Sequence, residues 1–168
     1  QCWGKNTSGQ LGLGHIETIG DDPREMGDYL QPVDLGQNKL QSAVAISAGS
    51  SHSCALLADA SLRCWGRNFY GNLGIETFRS VGHSRSAPTA LAPAVDLGLE
   101  LEALAISAGG ESSCAVLNDG NAKCWGKNLG GELGVGDTYN RGDDAMEMGD
   151  YLLTVDLGTN VAVSATGG

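Results

Sequence analysis

Aromatic side chains make up only 5% of this 168-residue chain, proline occurs 4 times, and 10 basic residues face 20 acidic ones for a formal charge of −10. So little positive charge argues against a phosphate-tracking surface for nucleic acid or a face for anionic membrane. No window of about 11 residues holds a helical apolar stripe, which argues against an α-helical core. No apolar run is long enough to span a bilayer, so no direct membrane insertion is expected. The three histidines, His15, His52 and His83, never recur beside a Ser, Cys or carboxylate partner. Neither a nucleophilic triad nor a paired-carboxylate site is therefore indicated, no catalytic residue is assigned, and no cofactor is implied. No leader or lipidation motif lies between Gln1 and Gly168, but the chain starts and stops in mid-repeat, so that decides little.

What is abundant is glycine, at 26 residues, together with internal repetition. Cys-Trp-Gly occurs at Cys2, Cys64 and Cys124, intervals of 62 and 60 residues. Around it, Trp-Gly-x-Asn-x-x-Gly-x-Leu-Gly runs through Trp3–Gly12, Trp65–Gly74 and Trp125–Gly134. Val-Asp-Leu-Gly follows at Val33–Gly36, Val95–Gly98 and Val155–Gly158. Next come small-residue segments, Ala45–Gly49, Ala105–Gly109 and the looser Ala162–Gly167. The period divides the chain into units at 1–63, 64–123 and 124–168, the first and last incomplete. Such a period is the signature of a stacked or circular array, and this chain reads as a slice of a longer one. The expected shared core is Trp3, Trp65 and Trp125, each packed between neighbouring sheets, with Gly4, Gly66, Gly126, Leu11, Leu73 and Leu133.

Short strand signals punctuated by Gly, Asn, Asp and Ser predict an all-β chain. Ser113–Leu117, Asn118-Asp119-Gly120 and Asn121–Trp125 read as a hairpin whose three-residue turn needs a left-handed third position. That register sets Cys114 opposite Cys124, and the same count sets Cys54 opposite Cys64, with Ala60 under mild strain where the other turn has Gly120. Directly opposed residues are close enough for a disulfide. A free or metal-bound pair is the alternative, but the spacing of ten and the lack of an accompanying histidine fit zinc poorly. Disulfides at every repeat imply an oxidising, extracellular or cell-surface setting. Cys2 then pairs outside the chain or is free.

The long segments between Leu-Gly and Val-Asp-Leu-Gly hold the remaining candidates. Gly20–Leu30 recurs as Gly142–Leu152, giving Asp21, Asp22, Glu25 and Asp28, and again Asp143, Asp144, Glu147 and Asp150, as candidate calcium ligands. The spacing matches no known calcium loop, and a solvated acidic turn is the competing reading. Arg141-Gly142-Asp143 spells an adhesion-type tripeptide that the repeat already explains. Asn6-Thr7-Ser8 is a glycosylation sequon, although Asn6 also stands at the repeated turn position, where its side chain is expected to bond backbone.

Taken together, Ala48-Gly49, His52–Leu56, Asp59-Ala60 and Trp65–Gly74 resemble the regulator of chromosome condensation repeat family almost position by position. The resemblance implies a seven-bladed β-propeller with four antiparallel strands per blade. At roughly 60 residues per unit, this chain would supply under half of the ring. Each unit is about ten residues longer than the usual repeat, and the cysteine pairs look like those of a secreted branch. The expectation for function is a non-catalytic extracellular scaffold or protein-interaction module, a building block of a surface assembly or filament. Its partners would be other subunits or further blades of the same protein. The alternative is a secreted binding or inhibitory domain for an enzyme or glycan. Nucleotide exchange on a small GTPase is a third reading, but no exchange residue can be carried over to a position here.

Overall fold

The computed structural model describes residues 1–36, 42–86, 88–159 and 161–164. Among these residues it is all-β apart from single 3₁₀ turns at Gly27–Tyr29, Thr89–Leu91 and Gly149–Tyr151. Strands β1 (Ala43–Ala48), β2 (His52–Leu57) and β3 (Leu62–Gly66) form one antiparallel sheet in chain order. Strands β4 (Ala103–Gly109), β5 (Ser112–Leu117) and β6 (Ala122–Gly126) form a second. The two sheets are successive blades of a partial propeller. Among the described residues, no helix is long and apolar enough to cross a membrane.

Turn chemistry fixes both hairpins. Asp59 and Asp119 each accept the amide of the residue two positions on, closing the turn from within. Ala60 sits at φ 64 and Gly120 at φ 83, so the left-handed third position is real, and in the first hairpin a Cβ must tolerate it. The resulting register pairs Cys54 with Cys64 and Cys114 with Cys124. The inner strands β1 and β4 are rich in Ala and Ser for a steric reason, because they lie side by side. Ala108 N–H donates to Ser47 Oγ at 2.9 Å, and both the amide and the hydroxyl of Ser50 donate to Gly110 O. Of the third small-residue segment, Val163 N–H donates to Gly120 O, while Ala165–Gly167 lies outside the described residues.

The fourth strand of each blade differs from the expected four-stranded pattern. It survives as point contacts at the two ends of the third strand. Gly66 exchanges both backbone bonds with Val81, and Val95 N–H donates to Leu62 O at 2.8 Å. Gly126 with Arg141, and Val155 with Ala122, repeat the arrangement. The cause is the extra length of each unit, inserted in the middle of that strand, so the chain leaves the sheet edge and returns.

The core gathers Cys54, Leu62, Cys64, Leu73, Leu117, Trp125, Met148 and Leu152 into one cluster, with Ala55, Leu57 and Trp65 in a smaller one. Trp65 and Trp125 are buried, as expected of stacked blades, but Trp3 is 61% exposed. That corrects the expectation that all three tryptophans pack alike. A buried Trp rests on the Leu-Gly turn of the preceding repeat, as Trp65 does on Gly12 and Trp125 on Gly74, and among the described residues no such turn lies against Trp3.

Candidate functional site

The repeated motif builds the joints between blades. Within each repeat, Asn6, Asn68 and Asn128 are fully buried, and their Oδ1 atoms accept the amides of Leu11, Leu73 and Leu133. Their Nδ2 atoms donate to His15 O, Thr77 O and Asp137 O. This fixes the Gly-x-Leu-Gly turn as a shelf for the next Trp. Asn6 is also fully buried with its Nδ2 held on His15 O, so the sequon nitrogen is not presented at the surface in this fold.

At the first joint, between the N-terminal segment and the first sheet, Gln10 O accepts from Trp65 Nε1 at 3.0 Å and Ser53 Oγ at 2.9 Å. The Trp65 ring closes on Gly12, where a Cβ would meet Nε1 at 2.8 Å. Thr89, arriving from the insert, donates its hydroxyl to Gly12 O. At the second joint, between the two sheets, Asn72 O accepts from Ser113 Oγ at 2.9 Å, whereas Trp125 Nε1 is buried without a partner. Gly74 gives Trp125 its room, and Met148 takes the place of Thr89.

A polar latch that sequence reasoning missed spans each joint from the residue just before the repeated cysteine. Arg63 donates to Leu35 O and Ala90 O, and Lys123 Nζ donates to Leu97 O at 2.8 Å and Gly149 O at 2.9 Å. At the equivalent N-terminal place, Gln1 Nε2 donates to Leu30 O at 2.7 Å. Burial lowers the Lys123 amine below the usual lysine range, opposed by the carboxylates of Asp150, Asp119 and Asp96. The available signal was a long donor side chain, Gln, Arg or Lys, directly ahead of every Cys-Trp-Gly. Glu76 was missed too. It holds φ 52, where the other repeats have Gly14 and Gly136, and its carboxylate accepts the amides of Glu147 and Met148 across the second joint.

Disulfides pin both hairpins: Cys54–Cys64 at 2.08 Å and Cys114–Cys124 at 2.10 Å. Cys2 is a free, half-buried thiol, its pKa pushed up by burial. It lies with Trp3, Leu11, Ile46 and Ala48 along an open apolar groove on the outer face of the first sheet.

The acidic inserts are organised by their own backbone. Glu25 Oε2 accepts the amides of Gly20 and Asp22, and Glu147 Oε2 those of Gly142, Asp143 and Asp144. The amides of Asp22 and then Gly20 hold the Glu25 carboxyl below its usual range. Burial, then the Glu147 carboxyl, pushes Asp143 up. Asp21, Asp22, Asp28 and Asp144 are exposed, whereas Asp150 Oδ1 accepts the Leu99 amide at 2.9 Å. Among the described residues, no three His, Cys, Asp or Glu side chains converge to hold a metal ion. Arg141 is tied to Asp137 at 2.7 Å and Gly142 is buried, so the Arg-Gly-Asp tripeptide is held within the joint.

The same architecture recurs in known proteins. A family model described as "Regulator of chromosome condensation (RCC1) repeat" matches residues 2–56, and a second with that description matches 43–72 and 104–132. The human probable E3 ubiquitin-protein ligase HERC6 is 31% identical over 135 residues, which is 80% of this chain and 12% of that protein. The Arabidopsis thaliana ultraviolet-B receptor UVR8 is 30% identical over 138 residues, 81% of this chain and 27% of the receptor. The chain therefore spans well under half the length of the curated relatives it matches. Among solved structures, Prp20p from Saccharomyces cerevisiae aligns with a TM-score of 0.60 at 16% identity, covering 96% of this chain and 35% of that one. Human WBSCR16 aligns at 0.56 with 17% identity, covering 82% and 32%. These two share the fold. With two family models covering most of its length and the Trp-on-turn joint repeated along it, the chain belongs to the regulator of chromosome condensation (RCC1) repeat family.

Proposed function

We propose that this chain is a non-catalytic propeller segment that works as an extracellular scaffold and protein-interaction module, and that it joins further blades or subunits through its open first-sheet face. One observation carries the reading. The groove of Cys2, Trp3, Ile46 and Ala48 lies on the same side of the first sheet as the N-terminal segment, and it leaves Trp3 and Ile46 61% and 66% exposed. By the repeat, this is the seat that an inner hairpin fills at the second joint, where β1 and β2 lie against β4. An inner hairpin of that type carries a cysteine opposite the Cys-Trp-Gly strand, so Cys2 stands where such a hairpin would cover it on assembly. Two disulfides support an oxidising compartment. The Prp20p structure is described by that protein's binding to Gsp1p and histones, which supports a protein as the class of partner.

Sedimentation of the chain over a range of concentrations tests the proposal. Association is expected, with Cys2 protected from alkylation in the associated form, and Ile46→Asp should abolish both while the fold is retained. A monomer at every concentration, with Cys2 freely alkylated, overturns it. The exposed rings of Phe69, Phe78, Tyr139 and Tyr151 favour one second reading, a binding domain for glycan or enzyme. A glycan or enzyme bound by the monomer would select it.

A further inference from the structure

His52 opens β2, is 1% exposed, and lies inside the joint between the two sheets. Its Nε2 is 2.9 Å from Ser113 Oγ on β5. Ser113 has already given its hydroxyl proton to Asn72 O, so Oγ is left to accept and Nε2 must carry the hydrogen. The neutral ring therefore fits the relay His52–Ser113–Asn72, which stitches one blade to the next. The space around the ring is cut to its shape. A Cβ on Gly49 would stand 2.2 Å from Cε1 and 2.5 Å from Nδ1, so that edge of the ring lies against the Gly49 backbone, in a side chain that is almost wholly buried.

The charges facing this ring offer little relief. Glu111, on the turn between β4 and β5, is the acidic group that acts on it. That carboxylate is already bridged by Arg67 at 3.6 Å and Lys127 at 3.5 Å. On the groove side, the chain presents Lys5 and the uncharged Cys2 thiol. Position 112, which pairs with Gly126 as His52 pairs with Gly66, is a serine, so no titratable ring occupies it in the second sheet.

We propose that His52 makes the joint between the two sheets acid-labile: charging the ring parts the blades while each disulfide-pinned hairpin stays closed. Burial lowers the His52 pKa from 6.5 to about 4. With the folded value below the unfolded one, the ring's contribution is whole above about pH 6.5 and is lost as pH falls through about 4. A shift of that size corresponds to a loss of about 300-fold in the closing constant of the joint at the acid end.

The test compares urea midpoints of the wild-type chain and His52→Gln across the acid range, read by Trp125 fluorescence. Glutamine keeps a donor for Ser113 and does not titrate. The wild-type midpoint should fall between pH 6.5 and 4 well beyond that of His52→Gln. Far-UV signal and the two disulfides should persist through the acid change. Parallel falls in the two proteins would overturn the proposal, because carboxylates would then account for them. Should His52→Gln not fold, the His52 Cε1 proton resonance of the wild type decides. Titration near 4 supports the proposal, and titration near 6.5 overturns it.

Discussion

The two joints use one packing plan and differ in how their polar groups are satisfied. At the first, Gln10 O takes the Trp65 N–H and the Ser53 hydroxyl, but Arg63 Nε is left without a partner. At the second, Lys123 satisfies two carbonyls and Glu76 takes two amides, but the Trp125 N–H and the Nε of Arg67, which bridges to Glu111, are buried orphans. A buried donor without a partner costs about 1–3 kcal/mol, so both joints carry such defects, at different places. Shape is therefore what the repeat holds constant: a Trp face, a glycine under it, and an insert residue over it. The hydrogen bonds around that shape are negotiable.

Breaking the shape should have the largest effect. Trp65→Ala and Trp125→Ala are each expected to cost about 3–5 kcal/mol in urea unfolding, with similar values at the two joints. A large inequality would mean that one joint is not built on its tryptophan. Removing a disulfide comes next. Cys54→Ala with Cys64→Ala, or the same change at Cys114 and Cys124, should cost about 2–4 kcal/mol. The first pair should lose more, because Cys54 Sγ also lies 3.8 Å from Ser113 Oγ in the second joint.

A finer comparison is Trp→Phe. At position 65 it deletes a made hydrogen bond, and at 125 it deletes an orphan N–H. The loss should therefore be about 1 kcal/mol greater at 65, and equal losses would mean that Trp125 has found a partner. Smallest is the turn. Ala60→Gly should raise stability by about 0.5–1 kcal/mol and Gly120→Ala lower it by a similar amount, since both positions are left-handed.

The hairpins and the cysteine register were legible in the sequence because turn chemistry is local: Asn118-Asp119-Gly120 dictates its strand partners without help from elsewhere. The family fold was legible for the related reason that the repeat states the same local instructions several times. What the sequence hid was relational. Trp3 carries the same motif as Trp65 but lacks the shelf beneath it, which no reading of the motif itself can reveal. The acidic inserts looked like ligand sets, yet Glu25 and Glu147 are consumed by their own backbone amides, a consequence of loop conformation rather than composition. Glu76, the donor series Gln1, Arg63 and Lys123, and the His52–Ser113 bond act across joints between residues far apart in sequence.

The interrupted outer strand has a practical consequence. Since the chain leaves the sheet after Val81 and is recaptured at Val95, and likewise between Arg141 and Val155, the sheet edge is held at two ends; Thr89 and Met148 pack over the joints in between, so length can vary only at the exposed stretches 85–86 and 144–146. Loop-closure entropy rises by only about 0.6 kcal/mol for each doubling of such an excursion. Each blade thus carries a port into which evolution, or an engineer, can splice a foreign peptide or a small domain without renegotiating the sheet.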